Sequence, residues 1–192
     1  MKLARIIALG ILLGVFALAQ TVDLGLGAFS SSDGVIDLVV DASLVNHKIN
    51  SPYVMFMVYL STEEAELKID ITRDTIIMVY NGQEYAMPSV AELRKNYNGQ
   101  RNDIALYERL GKEAIIMSQA RFVQFIEGTD FFPVLGSQTT IPTSVATLTR
   151  TIGFQTKLYF KNPGLKKGDT LLIKVWGSKD PSLKGEVGVI LQ

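Results

Sequence analysis

Apolar and polar residues alternate with a period of two along much of the chain, and the pattern is strongest from Tyr53 to Met87. Within it, Tyr53, Met55, Met57 and Tyr59 interleave with Val54, Phe56, Val58 and Leu60, so neither face of this strand is polar. Such a strand belongs in the middle of a sheet that is covered on both sides. Ser61–Glu66 is a charged turn, after which Leu67, Ile69 and Ile71 alternate with Lys68, Asp70 and Thr72 as a half-buried strand. Thr75–Tyr80 then runs into Asn81-Gly82. That pair predicts a type I′ hairpin, because both central positions need positive φ, and Gln83–Met87 should return antiparallel.

The same pattern extends on either side. Thr21–Ala28 predicts an edge strand with Val22, Leu24 and Leu26 on one side, and Ser30–Gly34 a turn. Val35–Ala42 places Ile36, Leu38 and Val40 inward, with Asp37, Val39 and Asp41 on a wet outer face; Asn46–Pro52 reads as a loop. The period then changes. Ser89-Val90-Ala91-Glu92 has the form of a capping box, followed by Val90, Leu93 and Tyr97 at helical spacing. A second helix is predicted from Asn102 or Asp103, with Ile104, Tyr107 and Leu110 on one face and Gly111 as its stop. Lys112–Met117 fits helix or strand equally, and Gln119–Ile126 fits a strand. Gly136–Thr149 is either an edge strand interrupted by Pro142 or a long loop. Phe154–Phe160, the run TLLIKVW at 170–176 with Trp176 off the inward face, and Glu186–Leu191 complete the set. About eight or nine strands at this spacing, with no alternation of strand and helix, predict a mainly β protein: an antiparallel β-sandwich with a helical insertion at about 88–112.

The N-terminus does not share this pattern. Lys2 and Arg5 precede an apolar run, Ile6–Phe16, and the small-x-small sequence Ala17-Leu18-Ala19 follows. These are the parts of a cleavable export signal over residues 1–19, and the run is short for a membrane span, which takes about 20 residues. One domain, 20–192, would remain, with no integral span once the signal is cut. The expected location is periplasmic or extracellular. The leader carries two of nineteen basic residues and none of the nineteen acidic ones, so the remainder has a net charge of −2. That gives no electrostatic reason to expect nucleic acid as a partner. Cysteine is absent, which removes thiol catalysis, iron–sulfur clusters and cysteine-bound zinc, and leaves the fold to its core alone.

Candidate chemistry is sparse. His47 is the sole histidine and lies in a loop without the order of a triad around it. Asp33, Asp37 and Asp41 suggest calcium, but Asp37 and Asp41 stand about 13 Å apart along one strand face, too far to share an ion. Glu63, Glu64 and Glu66 read as a solvated turn, and Arg94 with Lys95 as helix surface. Gly25-Leu26-Gly27 lacks the rest of a phosphate loop. No catalytic residue, metal ligand or cofactor is assigned. Phe131, Phe132 and Trp176 are the candidate interaction surface, since exposed loop aromatics commonly serve binding; the simpler alternative is that Phe131 and Phe132 plug the end of the sandwich.

The apolar central strand YVMFMVYL, the alternating LKIDI and the hairpin IIMVYNGQEYAM, with the turn Asn81-Gly82-Gln83-Glu84-Tyr85, resemble bacterial exported immunoglobulin-like domains of unknown function over residues 35–87. The resemblance implies an immunoglobulin-like sandwich and no activity. The expected function is a non-enzymatic binding or structural module of the cell envelope, its partner an envelope or extracellular protein. The alternative is a hydrolase or carbohydrate-active enzyme in which Glu92, Arg94, Tyr97, Glu108 and Arg109 meet beside the helical insertion. A carrier of small hydrophobes would need a cavity where Met55, Met57 and Met78 otherwise fill the core.

Overall fold

The computed structural model describes residues 21–110, 124–125, 129–133 and 141–192. The expected leader, Lys112–Met117, most of Gln119–Ile126 and the start of the Gly136–Thr149 segment lie outside the described residues. The elements in order are β1 (Val22–Gly25), β2 (Ala28–Ser31), β3 (Asp37–Asp41), α1 (Ser43–His47), β4 (Tyr53–Ser61), β5 (Ile69–Thr72), β6 (Ile76–Tyr80) and β7 (Gln83–Ala86). There follow α2 (Val90–Asn96), α3 (Gln100–Leu110), β8 (Gln124–Phe125), β9 (Thr129–Asp130), β10 (Ile141–Pro142), β11 (Val145–Leu148), β12 (Ile152–Lys161), β13 (Thr170–Trp176) and β14 (Lys184–Ile190).

The protein is mainly β and mostly antiparallel. One sheet runs β1-β2-β3-β4-β12-β8 and another β14-β13-β6-β7, with β11 paired to β5 and β10 to β9. Two short pairings, β8 with β12 and β9 with β10, are parallel, which the expectation of an antiparallel fold did not include. The Asn81-Gly82 hairpin forms as predicted: Asn81 and Gly82 have φ of 50° and 75°, and Tyr80 pairs with Gln83.

β4 is the centre of the six-stranded sheet, and all its residues from Tyr53 to Leu60 are buried. Its antiparallel register with β12 and β3 sorts the neighbours by face. Val54, Phe56, Val58 and Leu60 share one face with Phe154, Leu158, Phe160, Leu38 and Val40. With Ile76, Met78, Leu171, Ile173, Val175, Val187 and Val189 of the other sheet they belong to one core. Each such side chain contributes about 1.5–3 kcal/mol on leaving water. Tyr53, Met55, Met57 and Tyr59 point the other way, toward the helical insertion: Tyr53 meets the Tyr97 ring at 5.4 Å.

Four local expectations are corrected. Thr21–Ala28 is not one strand, because Gly25, Leu26 and Gly27 all take positive φ and fold it into the β1–β2 hairpin, leaving Leu26 exposed. Residues Ser43–His47 form a short helix that takes in Asn46 and His47 from the start of the expected loop. Asp41 is not on a wet face but is buried, accepting a 2.7 Å hydrogen bond from the Ser43 N–H at the start of α1. In α3 the buried stripe is Gln100, Asp103 and Tyr107, whereas Ile104 and Leu110 are only half-buried.

Candidate functional site

Phe131 and Phe132 are fully buried, so neither offers an exposed binding surface. Phe131 packs on Phe154 with centroids 5.0 Å apart, and Phe132 sits edge-on to Tyr159 at 5.5 Å. Two arginines hold the backbone of this segment. Arg73 Nη1 donates to the Phe131 carbonyl at 3.3 Å, and Arg94 Nη2 donates to the Pro133 carbonyl at 3.2 Å. The segment is a plug against β12. Trp176, at the end of β13, is half-buried.

The residues expected to meet beside the insertion are differently placed. Glu92, Glu108 and Arg109 are exposed, and Arg94 is turned toward Pro133. The Ser89 hydroxyl caps α2 by accepting from the Glu92 N–H at 3.0 Å, which shows the first half of the predicted box. Only Tyr97 of that set is directed into a polar centre.

That centre is Asp103. Its carboxylate is buried and takes the Tyr97 hydroxyl at 2.8 Å and the Tyr159 hydroxyl at 3.4 Å. It also pairs with Lys48 Nζ, which reaches the Tyr97 hydroxyl at 3.2 Å; Ser51 Oγ reaches the same hydroxyl at 3.2 Å. Burial alone would lower the Lys48 ammonium, but Asp103 and Tyr97 hold it above its ordinary value. Burial first, and the Asp103 charge after it, push the Tyr159 hydroxyl well above the usual phenol range. Tyr97 is raised mainly by burial. One carboxylate thus fastens α3, α2, the Lys48–Ser51 loop and β12 together. Tyr107 lies one turn further along α3, with the Asp41 carboxylate and Tyr59 as polar neighbours; its hydroxyl and Asp41 Oδ2 complete no hydrogen bond of good geometry.

A second polar pair joins β12 to the plug. Lys157 Nζ contacts Asp130 Oδ2, while Asp130 Oδ1 accepts from the Phe132 N–H at 2.8 Å and from Thr156 Oγ1 at 3.0 Å. Neither Asp103, Lys48, Asp130, Lys157 nor Tyr159 stood out in the sequence. The available signal was a polar residue placed in the stripe of an otherwise inward helix face, as Asp103 is between Gln100 and Tyr107.

On the surface, a cleft of about 420 Å³ is lined by Leu26, Ser43, Asn46, His47, Lys167 and Gln192. His47 Nδ1 is 2.8 Å from the Ser43 carbonyl, its own helix backbone, which is not the arrangement of a triad. Beside it runs β1, the end strand of its sheet among the described residues, with Val22 and Leu26 exposed, as is Ile190 on β14. Thr21 Oγ1 accepts the Gly188 N–H at 2.8 Å and ties the two edges together. Among the described residues, no group of three or more His, Cys, Asp or Glu is placed to hold a metal. Asp37 stands apart, pushed up to about 6 by burial and by the Glu63 charge, against a lowering hydrogen bond from Ser32. No helix among the described residues is long and apolar enough to cross a membrane.

In comparisons with known proteins, no family model, no characterised sequence and no solved structure matches the chain.

Proposed function

We propose that this chain is an exported module with an immunoglobulin-like sandwich arrangement that acts, without catalysis, as a binding or structural element of the cell envelope. Its place would be periplasmic or extracellular, and its partner another envelope or extracellular protein. The observation that carries the reading is the use of Asp103, Lys48, Tyr97 and Tyr159. These are the groups best suited to chemistry near the helical insertion, and they are engaged with one another, closing the helices onto the sheet. The apolar leader Ile6–Phe16, between Lys2 and Arg5 on one side and Ala17-Leu18-Ala19 on the other, supports export.

The surface that fits a partner is the edge of β1, the end strand of its sheet among the described residues, with Val22, Leu26 and Ile190 exposed near it. Two measurements test the proposal. Cell fractionation with N-terminal sequencing should recover a mature chain beginning near Gln20 outside the cytoplasm. Site-specific cross-linking from position 26 in intact cells should trap one envelope protein, and Leu26→Glu with Ile190→Glu should abolish the product without lowering the melting temperature. A cytoplasmic chain with its first nineteen residues intact would refute the export reading. An unchanged cross-link in the double variant would refute the surface.

A further inference from the structure

The pairing of Lys157 with Asp130 has features that a simple ion pair does not need. The two side chains retain only 12% and 6% of their exposure. Asp130 directly precedes Phe131 and Phe132, both fully buried, so the contact is largely withdrawn from solvent. The two carboxylate oxygens have separate duties. Oδ2 faces the amine, and Oδ1 takes two donors, the Phe132 N–H and the Thr156 hydroxyl. Thr156 Oγ1 in turn accepts the Phe131 N–H at 3.3 Å, and Asp130 Oδ1 at 3.0 Å is a nearer acceptor for its proton than the Lys157 carbonyl at 3.4 Å. A backbone N–H and a hydroxyl donating to one oxygen of a carboxyl are the elements that stabilise a developing oxyanion in acyl transfer.

We propose that Lys157 and Asp130 condense to an intramolecular amide that covalently joins β12 to the β9 segment. The ammonium first passes one proton along the contact to Oδ2, which leaves a neutral amine and a neutral carboxyl. The Nζ lone pair then attacks Cγ, and the C–N bond forms while Oδ1 becomes an oxyanion held by the Phe132 N–H and the Thr156 hydroxyl. A second proton moves from Nζ to Oδ2, the Cγ–Oδ2 bond breaks, and one water leaves. The third proton stays on the amide nitrogen, so the balance closes without an oxidant, a reductant or another reactant.

Two physical effects favour the step. Groups held in contact react with effective concentrations that reach about 10⁵–10⁸ M in well-oriented cases. Burial is also the largest influence on the Lys157 amine, drawing it from 10.5 to about 8, with the Glu108 charge opposing. The Asp130 carboxylate, while ionised, opposes it as well. In a largely desolvated site the neutral pair moves toward the ion pair in energy, because charges there lose hydration. This inference does not depend on the export reading or on any partner.

Intact-mass spectrometry of the purified full chain, followed by tryptic peptide mapping, tests it. The expected result is a mass lower by one water than the same polypeptide, and a branched peptide joining the segments that carry residues 130 and 157, with no cleavage after Lys157. Lys157→Arg and Asp130→Ala should each remove the deficit. Because the decisive measurement is made on the unmodified sequence, it stands even if a variant fails to fold. A full sequence mass with two separate linear peptides would overturn the proposal and leave the contact as an ion pair.

Discussion

At the scale of single residues, the informative positions are charged groups in places that do not favour charge. Asp37 is half-buried on β3 and its carboxyl is raised to about 6. A raised folded-state value means that its contribution is present below the ordinary 3.8 and is lost as pH rises through about 6. At neutral pH the ionised group therefore opposes folding. Asp37→Asn is expected to gain about 1 kcal/mol at pH 7, after discounting for its contact with solvent, and the gain should vanish near pH 3.5. Urea titrations at the two pH values measure it. Asp103 is the opposite case, a buried carboxylate with three partners. Asp103→Asn should cost about 2–4 kcal/mol, seen as a lower urea midpoint with an unchanged slope, because Lys48 is left without its counter-charge. Combining it with Lys48→Met should return part of that loss, since the two changes share one contact.

At the scale of elements, the Asn81-Gly82 turn sets where one strand reverses into the next. Gly82 has φ of 75° with open space around its Cβ position, so its role is conformational and not steric. Gly82→Ala should destabilise by about 1 kcal/mol through that angle alone. The plug at residues 131–133 is the element whose role changed most between sequence and structure. Loop aromatics serve binding when they are exposed, and here they are buried by β12 and held by Arg73 and Arg94. Phe132→Ala should cost about 3–5 kcal/mol in thermal or urea unfolding, the cost of a core cavity, where an exposed side chain would cost almost nothing.

At the scale of the whole molecule, the layer between the helices and the sheet is lined with phenols. Tyr97, Tyr107 and Tyr159 are each raised above the ordinary 10.0, by burial first and by neighbouring carboxylates after it. Raised values contribute stability that is present below pH 10 and is lost as pH rises beyond it, since unfolding then frees phenols to ionise. The melting temperature should hold from neutral pH to about 10 and fall steeply above it. Phenolate absorbance should rise in one cooperative step with unfolding, not gradually in the folded protein. Substituting Phe at positions 97 and 159 should flatten the alkaline fall.

Local patterning along the chain was enough to determine the central strand Tyr53–Leu60, the Asn81-Gly82 hairpin, the capped helix after Ser89 and the closing strands. Each of these is specified by residues close together in sequence, through strand period, turn geometry or a side chain bonding its own backbone. What the tertiary structure decided was the fate of polar and aromatic groups whose partners are remote. Asp103 is inward because Lys48 and Tyr159 come to it from elements 55 and 56 residues away. Phe131 and Phe132 are core because β12 returns beside them, and Asp130 faces Lys157 for the same reason. Burial of a charge depends on a compensating group, and no period in the local sequence says which distant strand will supply it.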